Sequence, residues 1–330
     1  AWYPLVPGCE TVGRVLEVGK NITHVAPGDR VLGSSVFGGF EGCCCAWGAQ
    51  AEYALYNAPG SDLREPLKIP DKVSDEEALM AILPGVPLNG IRKKLPFVGP
   101  GVTVLVLGQG ATGLAACQFL RNLGARVIAA DEVDERVEIA RQAGWAEAVF
   151  GRGEAIQKAV ADLTDGGPDV VHDTTGSIEC LSMALEMVKT GGTVLATGLY
   201  LQPMMLDLCD NIWTKGLTFS CSVGRPLELR AEILDMIARG TFDTRPLISE
   251  TFDIKQAAEV YRRVNDEPDR IVKRCRANLV ARLSGLFHPR FDERVAGLPH
   301  QRHAAALRHM VEQRTTRFDI GNHGGALMTR

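Results

Sequence analysis

The feature that most constrains this chain is a junction. A short apolar run, Val102 to Leu107, leads straight into Gly108-Gln109-Gly110-Ala111-Thr112-Gly113, and a helical stretch opens near Leu114. Strand, glycine turn and helix in that order predict a parallel βαβ unit. The first glycine permits the tight turn, the second lets a pyrophosphate approach the backbone, and the third lets helix and strand pack closely. The helix N-terminus then offers unpaired N–H groups and a positive dipole end to an anion. The next apolar run, Val127 to Ala130, ends in Asp131, roughly 20 residues past the glycines, where a carboxylate accepts hydrogen bonds from an adenosine ribose. These residues predict a dinucleotide site, and the acid favours NAD because it repels the 2′-phosphate of NADP.

The pattern repeats. Val170 to His172 and Thr193 to Thr197 are further short apolar runs, separated by helical stripes such as Ala116, Leu120, Leu123 and Ile178, Leu181, Leu185, Val188 that stop at Gly124 and Gly191. This alternation predicts an α/β fold, a doubly wound parallel sheet with helices on both faces. Ligands bind beyond the carboxyl ends of such strands, so the loops Asp173-Thr174-Thr175-Gly176-Ser177 and Thr197-Gly198-Leu199-Tyr200 are expected to contact ribose and nicotinamide, with Thr175, Gly176, Gly198 and Leu199 as the named contacts. Residues 1 to about 60 differ: Pro7-Gly8, Val12-Gly13, Val18-Gly19, Pro27-Gly28-Asp29 and Gly38-Gly39 punctuate short strands, as in a small antiparallel barrel. Residues 71 to 95 read as helical, with Asp71 and Ser74 as caps. After Cys221 follow a helix from Leu227 to Arg239, a strand-like Leu247 to Phe252, a helix through Tyr261 and a short strand around Ile271 to Val272.

With 330 residues, 45% hydrophobic and 23% charged, the chain can bury a full core and favours two domains over one. Net charge is only −4, with both signs mixed, so no pull toward nucleic acid is expected. No apolar run of about 18 residues occurs and the start lacks a signal-peptide layout, which predicts a cytoplasmic protein without a membrane segment. Nine cysteines, an odd number among apolar neighbours such as those of Cys117, Cys180 and Cys221, suit buried thiols in a reducing compartment. The first residue is Ala1 rather than Met, which leads us to expect further residues upstream.

The segment Pro4-Leu5-Val6-Pro7-Gly8-Cys9-Glu10-Thr11-Val12-Gly13-Arg14-Val15, with Pro27-Gly28-Asp29-Arg30-Val31 and the stretches already quoted, resembles the medium-chain dehydrogenase/reductase superfamily in its zinc-type alcohol dehydrogenase-like branch. The resemblance implies a Rossmann domain plus a GroES-like, β-rich catalytic domain split around it. The expected boundaries are 1–95 for the GroES-like part, incomplete at its N-terminus, 96–221 for the Rossmann part, 222–275 for the return to the catalytic domain and 276–330 for an Arg- and His-rich tail foreign to the rest. It also implies hydride transfer between NAD and an alcohol or carbonyl of a small-molecule substrate. Through the Asp131 to Arg136 stretch and the Ser222-Val223-Gly224-Arg225 loop it adds Arg136 and Gly224 to the cofactor contacts, and through the edge strand Leu217 to Val223 it implies a homodimer.

The likeness breaks at the metal. Where the zinc branch carries Pro-Gly-His-Glu, this chain has Cys9 followed by Glu10, and where a cysteine or glutamate ligand is usual, about 25 residues before the first glycine, it has Leu83. The remaining ligand and the relay hydroxyl are expected upstream of Ala1. Catalytic zinc needs about three protein ligands, so no tight zinc is expected, with Cys9 the one matching ligand position. Cys43-Cys44-Cys45 are adjacent residues whose side chains alternate on a strand, and His300 and His303 lack a further ligand set, so neither is expected to bind metal. Glu10 and His172 are the two proton-carrier candidates, although His172 sits near the end of a buried strand where a core histidine is the competing reading. Met204-Met205 and Trp213 are expected to pack. The start of the chain also resembles the bacteriochlorophyllide a dehydrogenase subgroup, in which the zinc histidine is likewise replaced. Two other readings stay open: an NAD-binding homologue that has lost catalysis, and a zinc-free quinone or enoyl reductase.

Overall fold

A computed structural model describes residues 5–6, 8, 10–33, 44–45, 53–56, 64–151, 155–224, 226–266, 274–275 and 326–329. Contacts divide the chain into two compact units, residues 1–71 with 276–330, and residues 72–275.

The first unit is built on an antiparallel sheet of β1 (Thr11–Val18), β2 (Arg30–Gly33), β3 (Tyr53–Tyr56), β4 (Leu67–Lys68) and a strand from the far end of the chain, Ala326–Thr329, in the order β3, Ala326–Thr329, β1, β2, β4. Strand alternation sends Val15 inward while Arg14 and Leu16 face out, and Val15, Val25, Val31 and Tyr56 form a small core. The turn between β1 and β2 is pinned by Asp29. Its carboxylate pairs with the Lys68 ammonium at 2.7 Å and accepts from the Ala26 N–H at 2.9 Å, which holds its pKa below the usual carboxylate range. The tail read as foreign supplies Ala326–Thr329, paired to both β1 and β3. Ala-Leu-Met-Thr carries no alternation of apolar and polar residues, so no strand signal marks it.

The second unit runs α1 (Asp75–Leu79), α2 (Gly85–Lys94), β5 (Thr103–Leu107), α3 (Ala111–Asn122), β6 (Arg126–Ala130), α4 (Asp134–Ala143), β7 (Ala148–Phe150), α5 (Ile156–Leu163), β8 (Val170–Asp173), α6 (Ile178–Met187), β9 (Thr193–Ala196), β10 (Thr218–Cys221), α7 (Leu227–Ala238) and α8 (Ala257–Asp266). Six parallel strands lie in the order β10-β9-β8-β5-β6-β7. This is the doubly wound Rossmann order, with the chain reversing its direction of travel between β5 and β8. Central strands are buried and mostly apolar because helices cover both faces: Val104 to Leu107 and Val194 to Ala196 are all buried, and His172 and Asp173 at the end of β8 are buried polar exceptions. The expected helical region resolves into α1 and α2. Ser74 caps α1 in a capping box, its hydroxyl accepting from Glu77 N–H at 3.1 Å while Glu77 accepts from Ser74 N–H at 2.8 Å.

Several details differ from expectation. The three-residue β7 was not anticipated, nor was the π-helical turn Leu208–Trp213, which Asp207 caps. The strand-like Leu247 to Phe252 reduces to a 3₁₀ turn, Arg245–Leu247, and a two-residue pairing of Glu250–Thr251 with Arg274–Cys275. The strand expected around Ile271 to Val272 lies outside the described residues. Met204 packs against the core of the sheet as expected, whereas Met205 and Trp213 are 98% and 77% exposed. Cys117 is buried, Cys180 half-buried, and Cys209 and Cys221 exposed, so only the first meets the expectation of a buried thiol. No helix among the described residues is long and apolar enough to cross a membrane.

Candidate functional site

The site begins where the sheet reverses. β5 and β8 are hydrogen-bonded neighbours although β6 and β7 intervene in the chain, so the connections leaving their carboxyl ends part to opposite faces and open a crevice. Gly108 ends β5 at φ +86°, in the left-handed region that favours glycine, and its N–H donates to Ala130 O at 2.8 Å. Two glycines of the turn meet opposite surroundings. A Cβ on Gly113 would fall 1.8 Å from the Gly108 carbonyl oxygen, whereas a Cβ on Gly110 would meet nothing within 4 Å. The turn is therefore shut against its own backbone at 113 and open at 110. Gly110 caps α3 without any side-chain hydrogen bond, which leaves the first N–H groups of a twelve-residue helix for an anion.

Asp131 stands at the end of β6 and is 8% exposed. One carboxylate oxygen accepts from the Gln109 N–H at 2.5 Å, the other from the Val133 N–H at 2.8 Å, and Arg136 Nη1 lies 3.9 Å away. Two donors fix the carboxylate against the glycine turn yet fill only part of its capacity of about four lone pairs, so it can still accept from a diol. An open backbone approach at Gly110, a free helix N-terminus and a part-filled carboxylate beside it fit an adenine dinucleotide. Gln109 is a correction to the expected contacts. Its side chain is fully buried, donating to Val106 O at 3.2 Å and accepting from the Cys117 thiol at 3.5 Å, and its N–H is taken by Asp131. Burial pushes the Cys117 thiol pKa up to about 12, so it stays protonated.

The loop after β8 meets the glycine turn, and the loops after β8 and β9 meet each other. Thr174 Oγ1 donates to Leu107 O at 2.9 Å, and Asp173, fully buried, accepts from Thr175 N–H at 2.9 Å, Thr175 Oγ1 at 2.7 Å and Tyr200 Oη at 2.7 Å. Thr175 and Leu199 are exposed, and Gly176 and Gly198 partly so. Burial first, then the Asp173 charge, pushes the Tyr200 phenol above its usual pKa. Gly224 is exposed at φ +97° in the loop after β10. That loop is held by a residue the sequence did not single out: buried Asn89 of α2 donates to Val223 O at 3.0 Å, while its own Oδ1 has no hydrogen-bond partner. A lone amide on the otherwise apolar run Leu88 to Ile91 was the available signal.

His172 is a second correction. It is fully buried at the centre of the sheet, Nε2 meets Thr197 Oγ1 at 2.9 Å, Nδ1 has no partner, and burial pushes the pKa down to about 3. A neutral ring sealed under the strand ends exchanges no proton with a substrate and acts as a core residue. Glu10 belongs to the first unit and is half-buried, and Cys9 lies outside the described residues. Leu83 is half-buried in the turn between α1 and α2. No group of three or more His, Cys, Asp and Glu among the described residues is arranged to hold a metal ion.

Comparison with known proteins places these features in a family. Residues 111–239 match the zinc-binding dehydrogenase model and residues 1–63 the alcohol dehydrogenase GroES-like domain model. The chain is 29% identical over 276 residues to an alcohol dehydrogenase of Geobacillus stearothermophilus, covering 79% of each, and 28% identical over 274 residues to an L-threonine 3-dehydrogenase of Bacillus licheniformis, covering 77% of each. Among solved structures it is similar to an alcohol dehydrogenase of Escherichia coli CFT073 complexed with NADH, at a TM-score of 0.68 and 21% identity over 82% of each chain. The chain belongs to the medium-chain dehydrogenase/reductase superfamily, in its zinc-type alcohol dehydrogenase-like branch, and is an oxidoreductase of the pyridine-nucleotide class.

Proposed function

We propose that the chain is an NAD-linked dehydrogenase acting on an alcohol or carbonyl carbon of a small molecule. The observation that carries this is Asp131, a carboxylate held against the Gln109 N–H at the tip of β6, where it accepts from a ribose diol and repels a 2′-phosphate. The α3 N-terminus receives the pyrophosphate charge, Arg136 stands beside Asp131, and Thr175, Gly176, Gly198, Leu199 and Gly224 line the nicotinamide side. When bound, NAD supplies the hydride acceptor, and the protein positions and shields the reactants. The neighbour complexed with NADH supports the same choice of cofactor.

With His172 sealed in the core, Glu10 is the remaining proton-carrier candidate, carried by the resemblance alone. Leu83 puts a hydrocarbon where the zinc branch has a ligand, so we also propose that the chain holds no tight catalytic zinc and polarises substrate oxygen through hydrogen-bond donors or water. The same leucine favours a second reading, an NAD-binding homologue without turnover. The exposed thiols of Cys209 and Cys221 suit the cytoplasm. Edge strand β10, with Phe219 37% exposed and Trp213 and Met205 nearby in sequence, suits pairing with a second copy.

Calorimetric titration of the wild type and Asp131→Ser with NADH and NADPH tests the cofactor reading. NADH is expected to bind the wild type at least about tenfold tighter than NADPH, and the serine variant to lose most of that preference. Equal wild-type affinities refute it. A screen of diverse alcohols for NADH formation separates the two readings, since binding without turnover points to the second.

A further inference from the structure

Asp173 is a carboxylate with no exposed surface, and such a group is tolerated only when its oxygens are filled by donors. Two of its three side-chain bonds are local. Thr175 reaches Oδ1 through its N–H and its hydroxyl, a turn that any loop of this kind can form. The third is not local: Tyr200, 27 residues on and in the loop after β9, donates to Oδ2 at 2.7 Å. That bond joins two loops that already press together, since a Cβ on Gly198 would lie 2.3 Å from Gly176 N, and the Thr197 N–H donates to Asp173 O at 2.9 Å. The Tyr200 ring packs against the core of the sheet, so its hydroxyl is aimed rather than free to swing.

We propose that Tyr200 is a positioning residue for the nicotinamide half of the cofactor: its bond to Asp173 locks the 174–177 loop to the 197–200 loop and fixes the main chain of Thr175, Gly176, Gly198 and Leu199. The proposal rests on the NAD reading above. The adenosine half has its own anchors after β5 and β6, namely Gly108, Gly110 and Asp131, whereas the Tyr200 hydroxyl donates to Asp173. Without the hydroxyl one oxygen of a buried carboxylate loses its donor, and the two loops must be ordered at the cost of cofactor binding. The phenol is held protonated by burial and by the Asp173 charge, so it donates throughout the physiological range.

Tyr200→Phe removes one oxygen and keeps the ring. Titrating NADH and ADP into the wild type and this variant separates the two halves of the cofactor, and amide hydrogen exchange reports on the loops. NADH binding is expected to weaken about five- to tenfold, ADP binding to stay within about twofold, and exchange to rise in residues 174–177 and 197–200 but not in α3. In an Asp173→Asn background the same change is expected to cost less, because the pair acts as a unit. Unchanged NADH affinity overturns the proposal, and so does an equal loss for NADH and ADP, which marks a merely structural role. A wild type that binds neither compound defeats the NAD reading at the first titration, whereas the clamp alone fails when wild type and variant bind both alike.

Discussion

Adding a methyl group at Gly110 and at Gly113 should produce opposite failures. At Gly113 the new carbon would lie 1.8 Å from the Gly108 carbonyl oxygen and 2.8 Å from its carbonyl carbon, both backbone atoms. An ordinary carbon–oxygen contact needs about 3.3 Å, so α3 and the turn must separate by about 1.5 Å. Overpacking of this kind costs about 1–3 kcal/mol, and backbone on both sides puts it in the upper part of that range. Helix propensity returns less than about 1 kcal/mol, leaving a net loss of about 2 kcal/mol. For a unit of this size that lowers Tm by about 4–8 °C. NADH binding falls too, because the turn is distorted.

At Gly110 the backbone has φ −69° and ψ −175°, open to alanine, and nothing lies within 4 Å of the added carbon. Stability should therefore change by no more than about 0.5 kcal/mol. The methyl nevertheless stands where the pyrophosphate must approach, and NADH affinity should drop at least about tenfold. Calorimetric melting and fluorescence titration of the two variants side by side decide the matter. Wild-type NADH affinity in Gly110→Ala, or an unchanged Tm in Gly113→Ala, would refute the assignment of open and closed sides of the turn.

Three further outcomes are expected. His172 takes a proton only near pH 3 when folded, against 6.5 for the free side chain, so between those values the unfolded chain binds more protons. Stability is therefore level in this respect above about pH 6.5 and falls by up to about 1.4 kcal/mol per pH unit below it. His172→Gln should flatten that acid limb in urea melts and keep turnover, while a thousandfold loss of kcat would return the residue to catalysis. Phe219→Lys places a charge on the β10 edge and should halve the mass seen by light scattering, and a wild type that is already monomeric sinks the pairing. Elemental analysis after dialysis should find well under one zinc per chain, and a stoichiometric content would overturn the reading of Leu83.

Legibility in the sequence followed the range of the interaction. The β5–α3–β6 unit was readable because its constraints lie within about 25 residues: a tight turn, a helix start and an acid one strand later. Its strand order across the sheet was readable only as a class, since nothing in Val104 to Leu107 says which strands flank it. β7 was missed because Ala-Val-Phe is too short to show a period, and Ala326–Thr329 because its partners lie some 270 to 310 residues earlier in the chain. His172 shows the limit for single residues. Sequence marks a histidine at a strand end, but whether the ring faces the crevice or the sheet interior depends on Thr197, which comes 25 residues later.

The two halves of the proposed cofactor are thus held by different kinds of chemistry. In the proposed reading the adenosine side depends on main-chain shape and one carboxylate, set mainly by the stretch from Gly108 to Asp131. The nicotinamide side depends on three loops whose geometry is fixed by distant side chains: Thr174 on Leu107, Tyr200 on Asp173 and Asn89 on Val223. Each of these rests on only one or two side-chain hydrogen bonds. A chain can therefore keep dinucleotide affinity while losing the alignment that hydride transfer needs, because misplacement by about 1 Å costs about a hundredfold in rate without removing a binding contact. Affinity for ADP is then expected to be a poor guide to activity in this chain, and the ratio of NADH to ADP affinity is the quantity that reports whether the reactive half is in place.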